Sequence, residues 1–520
     1  MSPRRWLPPA VLLVLAGPLF AAWLPGGRAA SPRPYGFVQT TEGMQISWPS
    51  LAASLAVAAA AASLAVCAGG CLAWLLAASD LPGRHAWASV LVVPFVCPGI
   101  VWAMAQVYCY GQGGLAHRWL GGAWPAWPEV LCRGRYAACA FVLAQVLVPV
   151  PMLLGMEGVR RLSAAAILAA RLIPCRLRRF AWYGGAIRQE LAAAWLLCLA
   201  LGLGNFAIPH VLQCRLYTIE VYMRQTNYLD PAGAAGQAVL LVGPALAAAV
   251  WLAWLERGRE YATLEQLATG PVLVFGRGRY LALAGVAAYT LLVAGLPIGA
   301  LAAECRSPAH FFSAVREAMV ETHTTLWIAG LAGVSGMVLA AAATWGGGWR
   351  MCVAASVLLA IPPLVVGMSY ARFFNRLWPL DSGVVTASAA PLVLALALRG
   401  WPFGVRILAA ARGRLAPQWF QAAGLAGLTG WQRVRRVTLP LLATPAVTAG
   451  LATYMLAVGE VEITQALAVP GSGTLALRLF TFLHFGPTYV AASLALLLLV
   501  LAVAPLAMFW MLWGRELTPI

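Results

Sequence analysis

Apolar residues fall in blocks of about 20 along the chain, separated by shorter runs that hold most of the arginines. A helix needs about 20 apolar residues to cross the hydrocarbon core of a bilayer. Twelve blocks fit: 6–25, 50–78, 87–108, 136–156, 190–210, 235–255, 280–302, 326–346, 351–372, 384–401, 441–461 and 487–513. The pattern predicts an all-α polytopic membrane protein. Alternation from a cytoplasmic N-terminus places both termini inside, together with loops 157–189 and 402–440.

Charge agrees with that topology. Loop 157–189 holds Arg160, Arg161, Arg171, Arg176, Arg178, Arg179 and Arg188 against Glu157. From Arg399 to Arg436 there are seven arginines and no acid. The loop between the halves adds Arg257, Arg259, Arg277 and Arg279, whereas the expected external loops hold Glu42, Glu129, Asp230, Glu304 and Asp381. A bias of arginine to one side is the positive-inside signature. The chain is 62% hydrophobic and 10% charged, too little charge to cover a soluble protein of 520 residues. Its net charge of +18 comes from arginine alone, with no lysine. Because the arginines sit between apolar blocks, topology explains them better than nucleic-acid binding does. The first block follows a basic start and resembles a signal peptide, with a small-residue site near Ala29 and Ala30; we read it as an uncleaved first span.

The two long basic loops follow the fourth and tenth blocks, which suggests two repeats of six spans. Local sequence supports this. Pro98 to Met104 reads PGIVWAM and Pro362 to Met368 reads PPLVVGM. Each half also carries a small polar cluster one span after its basic loop: Gly204, Asn205 and Phe206, then Gly459, Glu460, Val461 and Glu462. An even number of spans per repeat keeps both copies parallel, with a path between them. Proline breaks the helical ladder inside a span, so Pro98, Met104, Pro362 and Met368 are gate candidates, with Asn205, Glu460 and Glu462 along the pathway. Intramembrane acids require water, a partner side chain or the pathway itself.

Cys67, Cys71, Cys97, Cys139 and Cys198 read as small packing residues. Cys67 and Cys71 lie one helical turn apart without a histidine or carboxylate, so no metal site is expected there. Cys109 and Cys132 bracket an external loop, where an oxidising periplasm permits a disulfide. His210 and His484 read as isolated surface or interface residues. Without a Walker A pattern the chain is not expected to hydrolyse ATP, and it shows no serine-histidine-aspartate, zinc or dinucleotide constellation.

The segment Gln421 to Pro440, QAAGLAGLTGWQRVRRVTLP, stands apart. Ala422 and Ala423 favour helix, Gly427 and Gly430 permit a reversal, and Trp431 opens a second short helix with Val434 and Val437 apolar and Arg433, Arg435 and Arg436 polar. Such a helix lies along the membrane, either docked in a soluble partner or anchored to anionic lipid. The segment resembles the EAA loop of permeases of binding-protein-dependent ABC importers: Gln421, Ala422 and Ala423 take the E-A-A places, Gly427 the glycine, Val437 the isoleucine, and Leu439 with Pro440 the closing pair. Glutamine replaces the family's glutamate. The stretch from Gly459 through Leu483 is similar to fused permeases of the ferric-iron and thiamine group.

That resemblance implies a type I ABC importer permease fold, with two parallel six-helix repeats and about twelve transmembrane helices. Permease domains would span 50–256 and 322–513, after a first span with its external loop in 1–49. An inter-domain loop and seventh span would fill 257–321, and 514–520 would be a cytoplasmic tail. It implies a location in the bacterial inner membrane, two copies of a cytoplasmic ABC ATPase subunit, and a periplasmic solute-binding protein. ATP and magnesium would bind the ATPase partner, with no cofactor on this chain. Ferric iron leads as cargo, followed by thiamine or another small organic or phosphonate solute; an ion-coupled secondary transporter is the competing class. The first-half loop fits the pattern badly. Ala164 to Ala166 or Leu168 to Ala170 stands for its opening, and Ala169, Ala170, Arg176, Arg178 and Arg179 form a weaker docking surface.

Overall fold

The computed structural model describes residues 47–517, apart from 112, 121–134, 163–165, 167, 168, 171, 229, 256–275, 360, 378–387, 414, 416 and 470, together with Ala16. Apart from Ala16, the expected first span lies outside the described residues, as does Cys132. All regular elements among the described residues are helical. Six helices are long and apolar enough to cross a membrane, and nine if each of three bent pairs counts once.

The elements run in two series of similar order. The first comprises α1 (Trp48–Ala78), the bent pair α2 (Arg84–Val96) and α3 (Gly99–Tyr110), and the bent pair α4 (Arg135–Leu147) and α5 (Pro149–Arg160). It continues with α6 (Arg176–Ala186), α7 (Arg188–Leu203), α8 (Ala207–Val211), α9 (Tyr217–Thr226) and α10 (Pro231–Leu255). The single apolar helix α11 (Gly278–Glu304) follows. The second series is α12 (Met319–Leu359), α13 (Pro363–Arg372), α14 (Ala390–Gly413), α15 (Pro417–Leu425), α16 (Gly430–Val458), α17 (Glu462–Leu467), α18 (Leu475–Phe485) and α19 (Thr488–Leu517).

Each series packs around the same three parts. In the first, α1 lies against α4, α5 and α7; in the second, α12 lies against α14 and α16. Small residues let these helices approach closely, as expected where lipid removes the hydrophobic drive for association. A Cβ added at Gly400 would lie 2.4 Å from Thr453 Cγ2, and one at Gly69 would lie 2.6 Å from the Val148 carbonyl oxygen.

Matched side-chain contacts recur. Ser54 Oγ, in the second turn of α1, accepts the amide of Tyr217 at the start of α9 over 2.8 Å. Thr325 Oγ1, in the second turn of the second series' first helix, accepts the amide of Leu475 at the start of α18, also over 2.8 Å. One turn earlier, Ser50 donates to the carboxylate of Glu220, while Glu321 pairs with Arg478 at 2.5 Å. The same two helix ends are thus fastened twice, with the polar partners changed.

Several expected boundaries move. The tenth span runs on through Pro402 to Gly413, so Arg406 and Arg412 belong to a helix and not to the expected loop 402–440. Arg406 and Arg412 donate to Ser356 Oγ and the Thr344 carbonyl. The fifth span ends at Leu203, short of the expected 210.

Candidate functional site

The two polar clusters lie in breaks after matched helices. Gly204 closes α7 and Gly459 closes the long α16. Pro98 and Pro362 stand at corners: the chain bends by 99° between α2 and the helix after it, and by 94° at the matching place before α13. Both prolines are extended, with φ of −52° and −57°, and each precedes the first residue of a helix. Proline supplies no backbone N–H, so a corner there leaves no donor stranded in an apolar setting.

The corners and breaks cross between series. A Cβ at Gly204 would lie 3.3 Å from Pro362 Cα, and one at Gly459 would lie 2.5 Å from Pro98 Cβ. Glycine is needed at Gly459 because the opposing ring occupies the space of a side chain. Within each series the corner also meets its own break: Gly99 faces Ala207 and Asn205, and Gly367 faces Ala466 and Ile463.

Polarity differs between the two breaks. Asn205 Oδ1 accepts the Ile208 amide at 3.0 Å and so caps α8. At the equivalent place stands Glu460, whose backbone carbonyl accepts the Thr464 hydroxyl at 2.7 Å. Glu462, only 7% exposed, accepts the Leu364 amide at 3.0 Å. Its carboxyl therefore ties the start of α13 to the second-series break. Arg399 on α14 donates to the Leu359 carbonyl at 3.3 Å, and its charge acts on both acids. Glu462 is buried, whereas Glu460 is half-buried.

Sequence reasoning gathered most of this set. Pro98, Asn205, Pro362, Glu460 and Glu462 meet in the crossing, and Met368 joins a shared apolar cluster with Phe206, Tyr222, Leu364 and Val365. Met104 lies elsewhere, buried in the main core. Four contributors were missed: Arg399, counted only among the basic residues, and Tyr222, Gln465 and Phe480. Tyr222 and Gln465 share a hydrogen bond between series, at 2.9 Å to Oε1 and 2.6 Å from Nε2. Phe206 and Phe480 approach with ring centroids 6.2 Å apart. Nor are His210 and His484 isolated, as expected; their Nε2 atoms are 3.0 Å apart. Among the described residues no group of three or more His, Cys, Asp and Glu gathers as a metal site.

The segment from Pro417 to Val458 forms a helix, a turn and a long helix. Gly427, with φ of +71°, makes the reversal, a backbone conformation that costs any other residue. Thr429 and Gln432 complete a reciprocal cap at the start of α16. Arg433 Nε donates to the Leu428 carbonyl at 2.8 Å, clipping the helix to the turn. Ala423 is buried, whereas Gln421, Ala422, Gly430, Arg435, Arg436, Leu439 and Pro440 are exposed. The second piece is not the expected short helix lying along the membrane. It is continuous with the span, because Leu439 and Pro440 fall inside a 29-residue helix. In the first half, Ala169 is exposed and Ala170 buried, Arg176 opens α6, Arg178 is exposed, and Arg179 Nη2 donates to the Ile173 carbonyl at 2.7 Å.

No protein-family model matches the chain, and no curated protein matches it. The helix set is that of a protein built to lie in a membrane, of a kind consistent with transport.

Proposed function

We propose that the chain is the transmembrane permease subunit of an ATP-driven importer. One observation carries this reading. A single helix, Gly430–Val458, begins at an exposed turn and ends at the break seated on Pro98. At 1.5 Å per residue it is about 43 Å long, enough to carry a push from one side of a bilayer to a crossing deep in the other. The turn is an exposed surface of Trp419, Leu425 and Trp431, with Arg435 and Arg436 beside it. A soluble ATPase subunit gripping it would move α16 as a lever.

The matched helix series act as two parallel repeats, and the crossed corners as the gate. In the arrangement described here Gly204 closes on Pro362 and Gly459 on Pro98. Rocking the series apart would part both contacts together and open a path lined by Asn205, Glu460 and Glu462, as in alternating access. Hydrolysis of magnesium-ATP belongs to two partner subunits. A periplasmic binding protein delivers the cargo, for which ferric iron leads and thiamine or a small organic or phosphonate solute follows. The membrane is the bacterial inner membrane, with both termini cytoplasmic.

A second reading has its own support. Glu460 and Glu462 beside Arg399 are the kind of intramembrane charge cluster that ion-coupled carriers use. Purification from native membranes separates the two. An ATPase subunit that co-purifies, and cargo uptake in proteoliposomes only when that subunit and ATP are supplied, supports the importer. Full uptake by the chain alone, abolished by a protonophore, establishes the carrier instead.

A further inference from the structure

We propose that His210 and His484 form a two-histidine site for a divalent transition-metal ion of the copper(II) or nickel(II) type, joining the two helix series. The histidines lie 274 residues apart in sequence, His210 in α8 and His484 in α18. Their Nε2 atoms are 3.0 Å apart, and with ring centroids at 5.0 Å the imidazoles meet tip to tip. Both tips therefore face one gap, and an ion bound to both sits to one side of the line between them.

The protonation pattern suits a metal. His484 Nδ1 lies 2.9 Å from the Phe480 carbonyl, which only accepts, so that nitrogen carries the hydrogen. In the neutral ring the His484 Nε2 is then a lone-pair donor, and His210 Nε2 supplies the one proton shared between them. A metal ion replaces that proton. An Nδ1–H held by a backbone carbonyl is also the arrangement that orients metal-binding histidines. The rings are further fixed by stacking: Phe206 lies 4.8 Å and Phe480 4.9 Å from His210, centroid to centroid.

The spacing selects the ion. Metal–nitrogen bonds of about 2.0–2.1 Å to both atoms, at the observed 3.0 Å separation, close an angle of about 95°. That is a cis pair in a square plane, the geometry of copper(II) and nickel(II) with nitrogen and oxygen ligands. Water fills the remaining positions, since His484 is exposed. The site stands on these two side chains whether or not the chain is an importer.

The test uses the full chain purified in detergent micelles. Copper(II) should give an electron paramagnetic resonance spectrum with coupling to two nitrogens, and nickel(II) should titrate at one ion per chain. His210→Ala and His484→Ala should each weaken nickel binding at least tenfold, while His310→Ala leaves it unchanged. Because an alanine variant can misfold, the unmodified chain supplies a second measurement: saturating nickel(II) should protect both His210 and His484 from diethyl pyrocarbonate, read by mass spectrometry. Nickel affinity unaltered in both variants, or both histidines modified at the same rate with and without metal, overturns the site.

Discussion

The turn before α16 and the turn before α6 occupy matching places in the two helix series, and they agree in contacts more than in letters. Each has a buried alanine, Ala423 or Ala170, followed two residues later by a leucine thrust into the open, Leu425 at 91% exposed and Leu172 at 84%. Each has an arginine in the fourth position of the following helix that donates back to a carbonyl of the turn, Arg433 to Leu428 and Arg179 to Ile173. The first turn is one residue shorter between alanine and arginine. Pro174 stands where the second turn has its left-handed glycine, and Cys175 caps nothing where Thr429 completes a reciprocal cap. The clip and the exposed leucine survive the loss of the motif, so they are the parts of the turn that shape alone requires.

The largest effect should come from the leucines. On the importer reading, Leu425→Glu places a charge at the centre of the partner contact. A central apolar anchor contributes about 2 kcal/mol or more to such an interface, so the co-purified ATPase should fall by more than tenfold. Leu172→Glu should cost less, because its turn has neither the glycine reversal nor the cap to hold it in place. Equal losses would show that the two turns dock alike and that the missing motif letters carry no weight.

Next come the arginine clips, where the turns should behave the same. Arg433→Ala and Arg179→Ala each remove a charged donor from a carbonyl, worth about 1.5 kcal/mol. Amide exchange in the first turn of α16 and of α6 should rise by about tenfold in the respective variant. A large rise in one and none in the other would break the equivalence drawn between them.

Much of this was legible in the sequence because it is local. Each of the six to nine membrane-length helices among the described residues overlaps an expected apolar block, though the blocks at 190–210 and 235–255 form none, and the repeated PGIVWAM and PPLVVGM stretches marked both corners. Gly204 and Gly459 stood out with their polar neighbours, yet that each packs on the other series' proline is a long-range fact with no local trace. Arg399 lies inside the expected tenth span, but its bond to the Leu359 carbonyl and its closeness to two acids are long-range facts as well. His210 and His484, each single and each near a helix end, gave no signal that they meet. The turn before α16 was read correctly as helix, glycine and helix, but nothing in its polarity revealed that the second helix never stops.

A smaller effect tests the glycine. Gly427→Ala forces a Cβ into a left-handed residue at about 1 kcal/mol, although nothing lies within 4 Å to collide with it. The cost is conformational, so Gly427→Asn, a residue that tolerates the left-handed region, should recover part of it. Thermal unfolding of the purified chain, with exchange of the Leu428 amide, reads both. Pro174→Ala in the other turn should leave stability unchanged to within a few tenths of a kcal/mol. A matching loss there would mean that the proline fixes its turn as firmly as the glycine does.

The smallest effect is a gain. Cys175 is extended, with φ of −84° and ψ of 121°, and stands directly before the first residue of α6, the geometry of a helix cap without a capping side chain. Cys175→Thr supplies the hydroxyl that Thr429 has in the other turn. It should stabilise the start of α6 by about 0.5–1 kcal/mol, seen as slower exchange of the Arg178 and Arg179 amides. Arg178 occupies the place of Gln432, so the reciprocal half of the cap stays missing and the gain should remain below what Thr429→Ala removes from α16. If the two changes prove equal and opposite, the reciprocal bond from Gln432 contributes nothing, and the difference in rigidity between the turns reduces to the glycine and the one missing residue.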